Sequence, residues 1–284
     1  MQEKYENYLG LGIAGNFALH LAQAGELEEF KDIITADEAA PKGIFPFYLP
    51  SYAPKETRSV AKETLTNYPL SSETIKLPTK NVNVQIEPEV GLICEIKYHN
   101  GDLLSIEPTH FAAYNDCSIR VAGAKKISDK KNWGESSKGI SSSLIQIDSF
   151  TEGSVLDEYS ICSFLKRDNR LKAYGENVAL TGYSYFYEKL TSWIKNQINQ
   201  QEDFGPLEPI NEYIKDCNYP SQAIISIGAT RYTEYGEKTF LQAGDEIFIV
   251  VYNHNTYTLQ DIQTSLDTEQ YNTKNISMLH QKVL

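Results

Sequence analysis

The chain has 284 residues, 41% of them apolar and 23% charged, which are ordinary fractions for a soluble globular protein of one large domain or two small ones. A formal net charge of −12 argues against a nucleic-acid or anionic-membrane partner. No apolar run reaches the roughly 18–20 residues of a membrane helix, and the opening MQEKYENY lacks the apolar core of a secretory signal. Cys94, Cys117, Cys162 and Cys217 lie far apart with no C-x-x-C pair, so a reduced, cytoplasmic protein is expected.

In chain order, the first marked feature is YLGLGIAGNFALHLAQAGE (8–26), where Gly10, Gly12 and Gly15 spell G-x-G-x-x-G. A dinucleotide turn needs an apolar strand directly before its first glycine, and KYENYL is short and polar. A glycine-permitted turn into a packed helix over 16–24 is the simpler reading, with Phe17, Leu21 and Ala24 on one face and Gly25 as the stop. A polar stretch from Ser51 to Asn81 is expected to run over the surface. From Val82 the pattern turns to strands: VNVQIEPEVGLICEIKY, HFAAYNDCSIRVAG and SLIQIDSF. The lysine-rich AKKISDKKNW (124–133) between the last two reads as a solvated loop. A helix is predicted over 183–198, where Tyr183, Tyr187, Leu190, Ile194 and Ile198 recur at helical spacing. An inserted loop follows over 199–220, then strands over 222–229 and 244–253. This strand-rich order, with few helices between strands, predicts an α+β fold rather than a doubly wound parallel sheet. Residues 1–81 form an N-terminal segment and 82–284 the β-rich core.

The chemistry concentrates in IEPEVGLICEI (86–96). On an extended chain Glu87 and Glu89 share a face, and two like charges so close favour protonation of one of them unless a cation sits between them. Pro88 suits a strand start. AAYNDCSIR (112–120) brings Asp116 out of an apolar run, with Ser118 and Arg120 beyond it. Three carboxylates from two strands make an all-oxygen set suited to Mg²⁺, Mn²⁺ or Ca²⁺, not to zinc.

The E-x-E strand and the N-D-x-S-x-R strand, in this order and separation, resemble the metal-binding signature of the fumarylacetoacetate hydrolase family. NWGESSKGI (132–140) resembles that family's lysine segment, and ISIGATRYTEYGEKTFLQAGDEIFIVV (225–251) its closing turn and final strand. GNFALHLAQAG resembles the segment that carries the catalytic histidine. The resemblance spans roughly 8–25 and 83–252.

It implies a mixed β-sandwich roll with a few peripheral helices, usually a homodimer, binding Mg²⁺ or Mn²⁺ through Glu87, Glu89 and Asp116. It further implies a small 2-oxo or acylpyruvate-type acid as substrate, cleaved at a C–C bond or decarboxylated through a metal-bound enolate. His20 takes the place of the water-activating histidine and Lys138 that of the charge-stabilising lysine. Asn16, Arg120 and Thr230 stand where substrate contacts are expected. The family's hydrolases carry glutamate three residues after the histidine, where this chain has Gln23, which cannot accept a proton. Glu26 would point about 120° away from His20 on a continued helix, and takes the glutamate's part only if the chain turns back at Gly25. Leu49 and Ala229 are further departures. The alternative is a protein of this fold that has lost catalysis and serves as a metal- or ligand-binding or structural protein.

Overall fold

The computed structural model describes residues 4–35, 37–50, 63–121, 123–271 and 273–284. Along the chain its strands are β1 (Leu9–Ala14), β2 (Gly43–Tyr48), β3 (Thr74–Ile75), β4 (Asn83–Gln85), β5 (Pro88–His99), β6 (Asp102–Asn115) and β7 (Ser118–Arg120). There follow β8 (Gly139–Ile140), β9 (Ile145–Gln146), β10 (Tyr159–Arg167), β11 (Arg170–Ala179), β12 (Gln222–Ser226), β13 (Glu246–Asn253) and β14 (Ile276–Val283). The helices are α1 (His20–Gln23), α2 (Tyr187–Gln200), α3 (Ile210–Asp216), α4 (Glu234–Lys238) and α5 (Leu259–Asp267).

Among the described residues the strands make a seven-stranded sheet in the order β2-β1-β12-β5-β6-β8, with β9 also on β6, and a five-stranded sheet in the order β11-β10-β13-β14-β3. A small ribbon pairs β4 with β7. The α+β, strand-rich architecture with peripheral helices is therefore the observed one. Its longest hairpin, β5–β6, turns at Asn100-Gly101, both with positive φ (53° and 92°). Two such residues in a row give the turn type whose twist matches paired strands. Asp168-Asn169 does the same for β10–β11.

The two sheets share one apolar core. Leu92 and Phe111 from the first sheet, and Ile161, Ile249 and Leu279 from the second, are all fully buried in it. The Phe111 ring meets Tyr159 edge-on at 5.1 Å across the gap. Each such side chain contributes about 1.5–3 kcal/mol on burial. Polar ties cross the gap as well: the Ala113 N–H donates to Ser277 Oγ at 3.0 Å, and Asn115 Nδ2 donates to Gln281 Oε1 at 2.9 Å.

Several local expectations are corrected. Gly10 and Gly12 lie inside β1, which pairs in parallel with β12, and not in a turn before a helix. A Cβ at Gly10 would stand 2.4 Å from the Phe47 ring and one at Gly12 2.3 Å from the Phe45 ring, so these glycines exist to let two phenyl rings cover the strand. The helix expected over 16–24 shrinks to α1, because Leu19 adopts a left-handed φ of 70° that no helix continues through. The helix expected over 183–198 begins at Tyr187, and the expected loop over 199–220 contains α3. Of the stretch 51–81, residues 51–62 lie outside the described residues; in the remainder Leu65, Leu70 and Ile75 are buried, and β3 joins the second sheet. SLIQIDSF supplies only the two residues of β9.

Candidate metal centre

The open end of the β5–β6 hairpin, opposite its Asn100-Gly101 turn, is where charge collects. The register places Pro88 against Asn115, and the Asp116 N–H donates to the Glu87 carbonyl at 3.0 Å. Glu87, Glu89 and Asp116 therefore converge. Each offers an oxygen, and these oxygens all lie within 4.8 Å of one another. The three residues are 4%, 1% and 0% exposed, so any charge they carry must be answered inside the protein.

The answer comes chiefly from a residue the sequence reading put in solvent. Lys131, 3% exposed, places Nζ 2.6 Å from Glu87 Oε2 and 2.6 Å from Asp116 Oδ2. Its neighbour Lys130 is buried too, at 2.8 Å from both Glu26 Oε1 and Glu29 Oε2. The stretch 124–133 is thus not a solvated loop. It folds into a single helical turn over Ile127–Lys130 that delivers two ammonium groups inward. Lys138, fully buried just before β8, bonds Asp116 Oδ1.

Arg120 is consumed by protein partners rather than left open. Its guanidinium meets Glu26 Oε1 at 2.7 Å, Glu87 Oε1 at 2.9 Å, Gln85 Oε1 at 2.7 Å and the Tyr232 hydroxyl at 2.9 Å. Asn16, also expected to contact substrate, is a clamp. Its amide donates to the carbonyls of Tyr185 and Ile227 and accepts from the Tyr185 N–H. Thr230 turns its hydroxyl onto the Pro88 carbonyl at 3.3 Å, while the Gly228 N–H in the same turn donates to Glu89 Oε2 at 2.8 Å.

His20 sits at the start of α1, 4% exposed, with Nδ1 2.9 Å from the Thr230 carbonyl oxygen. A carbonyl only accepts, so Nδ1 carries the proton and Nε2 the lone pair. Burial pushes the His20 pKa down to about 4, which keeps the ring neutral near pH 7. Gln23, in the position of the family's glutamate, does not serve as an acid beside the ring. It brackets Tyr232, donating to its carbonyl at 3.1 Å and accepting from its N–H at 2.9 Å. Gln23 thereby fixes the segment whose Thr230 carbonyl orients His20. The chain does turn at Gly25 (φ 72°), and the Glu26 N–H closes onto the Leu21 carbonyl at 2.9 Å. Glu26 is buried in the same cavity as His20, but its carboxylate is taken by Arg120 and Lys130.

The electrostatics follow from these partners. Burial opposes ionisation of Glu87, yet Lys131 and Arg120 beside it hold its carboxyl well below the usual range. Glu89 goes the other way: burial, then the Asp116 and Glu87 charges, push it well above that range. Burial works against the Lys131 ammonium, but Asp116 and Glu87 keep it firmly protonated. The enclosed space is small, a cavity of about 20 Å³ lined by His20, Glu26, Glu87, Glu89, Lys131 and Ala229 among others. In composition the three carboxylates fit a hard divalent ion, and two of them are already engaged by Lys131.

Comparison with known proteins agrees with this architecture. The chain matches solved structures along 97% of its length at low sequence identity. Cg1458, crystallised with an inhibitor, aligns over 76% of its own chain with a TM-score of 0.56 at 15% identity. A 2-keto-3-deoxy-D-arabinonate dehydratase complexed with magnesium and 2,5-dioxopentanoate aligns over 72% of its chain (TM-score 0.53, 14% identity). A 5-carboxymethyl-2-hydroxymuconate delta-isomerase from Mycobacterium smegmatis aligns over 78% (TM-score 0.51, 11% identity). No curated protein matches the sequence. The fold is that of the fumarylacetoacetate hydrolase type, as the ordered motifs implied. By sequence, residues 26–283 match the family of unknown function DUF5718, and the chain belongs to that family.

Proposed function

We propose that this chain is a divalent-metal-dependent enzyme acting on a small 2-oxo or acylpyruvate-type acid, by C–C bond hydrolysis or decarboxylation. The observation that carries the reading is the buried convergence of Glu87, Glu89 and Asp116 beside a neutral, oriented His20. The dehydratase with a similar fold, solved with magnesium and a dioxo acid, supports the same class of chemistry. A divalent ion held by the three carboxylates would draw electron density from the substrate's 2-oxo carbonyl.

The chain's own residues supply the rest. His20 Nε2 accepts a proton from water or from carbon, and the Thr230 carbonyl at Nδ1 steadies the imidazolium that results. Lys138 fixes Asp116 through one oxygen, so that the other faces the cation position. Glu26 and Arg120 neutralise each other at the wall of the cavity and keep Glu87 in place.

A second reading, a protein of this fold that binds a ligand without turning it over, is favoured by one observation: a cavity of about 20 Å³ holds about one water and no oxo acid. Assays of acylpyruvates and oxaloacetate with and without Mg²⁺ separate the two. Turnover that requires Mg²⁺ and falls at least a hundredfold in His20→Ala is expected of the enzyme. The absence of metal-dependent turnover across the panel would leave the binding protein.

A further inference from the structure

The Lys131 ammonium stands where a cation shared by Glu87 and Asp116 would stand. Its Nζ takes Glu87 Oε2 and Asp116 Oδ2 at the same 2.6 Å, and those carboxylates are two of the three in the triad. The carboxylates around it are already met by cations. Glu26, Glu87 and Asp116 are ion-paired with Arg120, Lys130, Lys131 and Lys138. A divalent ion entering this cluster would add two positive charges in a site shut from solvent, close to an ammonium at that same spot. Like charges so placed repel strongly in a low-dielectric interior. The ion and the ammonium therefore exclude each other.

Lys131 is presented to the triad by a segment outside the β5–β6 hairpin, whose open end carries the carboxylates. The turn before Lys131 bonds to the loop at 203–208, while Ile127 is buried in the apolar cluster of Phe45 and Phe47 on β2 and the Asn132 amide donates to the Phe47 carbonyl at 2.8 Å. Lys126 Nζ donates to the carbonyls of Gly205 and Leu207 at 2.8 and 2.6 Å, Ser128 Oγ to Glu208 Oε1 at 2.7 Å, and the Ile127 N–H to the Pro206 carbonyl at 3.1 Å. Inside, the Lys131 side chain lies over the Phe45 ring at 5.2 Å. Lys131 thus reaches the triad from a separate segment.

We infer that Lys131 is a built-in competitor at the triad, whose ammonium holds the cation position until a divalent ion displaces it. This rests on the metal reading proposed above. Mn²⁺ titration of the full chain, followed by the paramagnetic signal of the free ion, tests it on wild type, Lys131→Met and Lys131→Gln, with Asp116→Ala as the control for the site. Both Lys131 variants are expected to bind one Mn²⁺ at least tenfold more tightly than wild type, and Asp116→Ala to bind none. Equal affinity in wild type and both Lys131 variants overturns the competition and leaves the metal reading standing; no Mn²⁺ bound by any of them overturns both. A measurement on wild type alone decides the matter if the variants do not fold. Reductive methylation mapped by mass spectrometry should leave Lys131 unmodified without Mn²⁺ and label it with saturating Mn²⁺. Labelling that Mn²⁺ does not change contradicts displacement.

Discussion

The inter-sheet core and the open end of the β5–β6 hairpin are both buried, and are held by opposite means. Around Leu92, Phe111, Ile161 and Ile249 the sheets meet through apolar side chains whose association is favourable wherever they touch. At the open end of the hairpin Glu87, Glu89 and Asp116 are buried too, among Arg120, Lys131 and Lys138, where desolvation opposes every charge. The first region would be chosen by stability alone. The second would not, since well-packed apolar residues of similar volume would hold the hairpin end equally well. The costly, buried set of charges at the end of the longest hairpin is what distinguishes the candidate site from the core.

Substitutions in the two regions should separate on this difference. The largest effect is expected from Asp116→Ala, which strips Lys138 of its carboxylate partner and Lys131 of one of two. It should lower stability in urea by about 3–5 kcal/mol and abolish any stabilisation by Mn²⁺. Leu92→Ala, in the apolar region, should cost about 2–5 kcal/mol through its cavity, with the response to Mn²⁺ unchanged. Equal Mn²⁺ responses in the two variants would erase the distinction between the regions.

A finer test uses pH. Burial lowers the His20 pKa from 6.5 to about 4, so between those values the unfolded chain binds more protons than the folded one. The stability this neutral histidine allows is complete above pH 6.5 and is lost as pH falls through about 4. Thermal unfolding from pH 7 to pH 4 should therefore show a shallower loss in His20→Gln than in wild type. The smallest effect is expected from Gln23→Ala, which removes two hydrogen bonds to the Tyr232 backbone and should cost about 1–3 kcal/mol. If Gln23 positions His20 through Thr230, that variant also shifts the His20 imidazole resonances in a nuclear magnetic resonance spectrum, and Gln23→Glu does so less.

Much of the acidic half of the site was legible in the sequence. Glu87 and Glu89 share a face because strand periodicity is strict, and Asp116 ends an apolar run that had to pair with theirs. The cationic half was not. Lys130 and Lys131 stand in a stretch whose local charge reads as solvated, and the carboxylates that bury them lie 15 to 104 residues away in the chain. No local pattern encodes a counter-ion. The fate of Gln23 was hidden for the same reason: its partner is the backbone of Tyr232, and backbone groups leave no trace in sequence. The glycines of β1 misled in the opposite direction, since G-x-G spells both a phosphate turn and a strand flattened beneath Phe45 and Phe47.

The most direct test of the central claim is a crystal structure of the wild-type protein soaked with Mn²⁺, examined by anomalous scattering. A peak between Glu87, Glu89 and Asp116, with Lys131 Nζ moved away from Glu87 and Asp116, is the predicted result. An absent peak at saturating Mn²⁺, with Lys131 still bridging those two carboxylates, would contradict it.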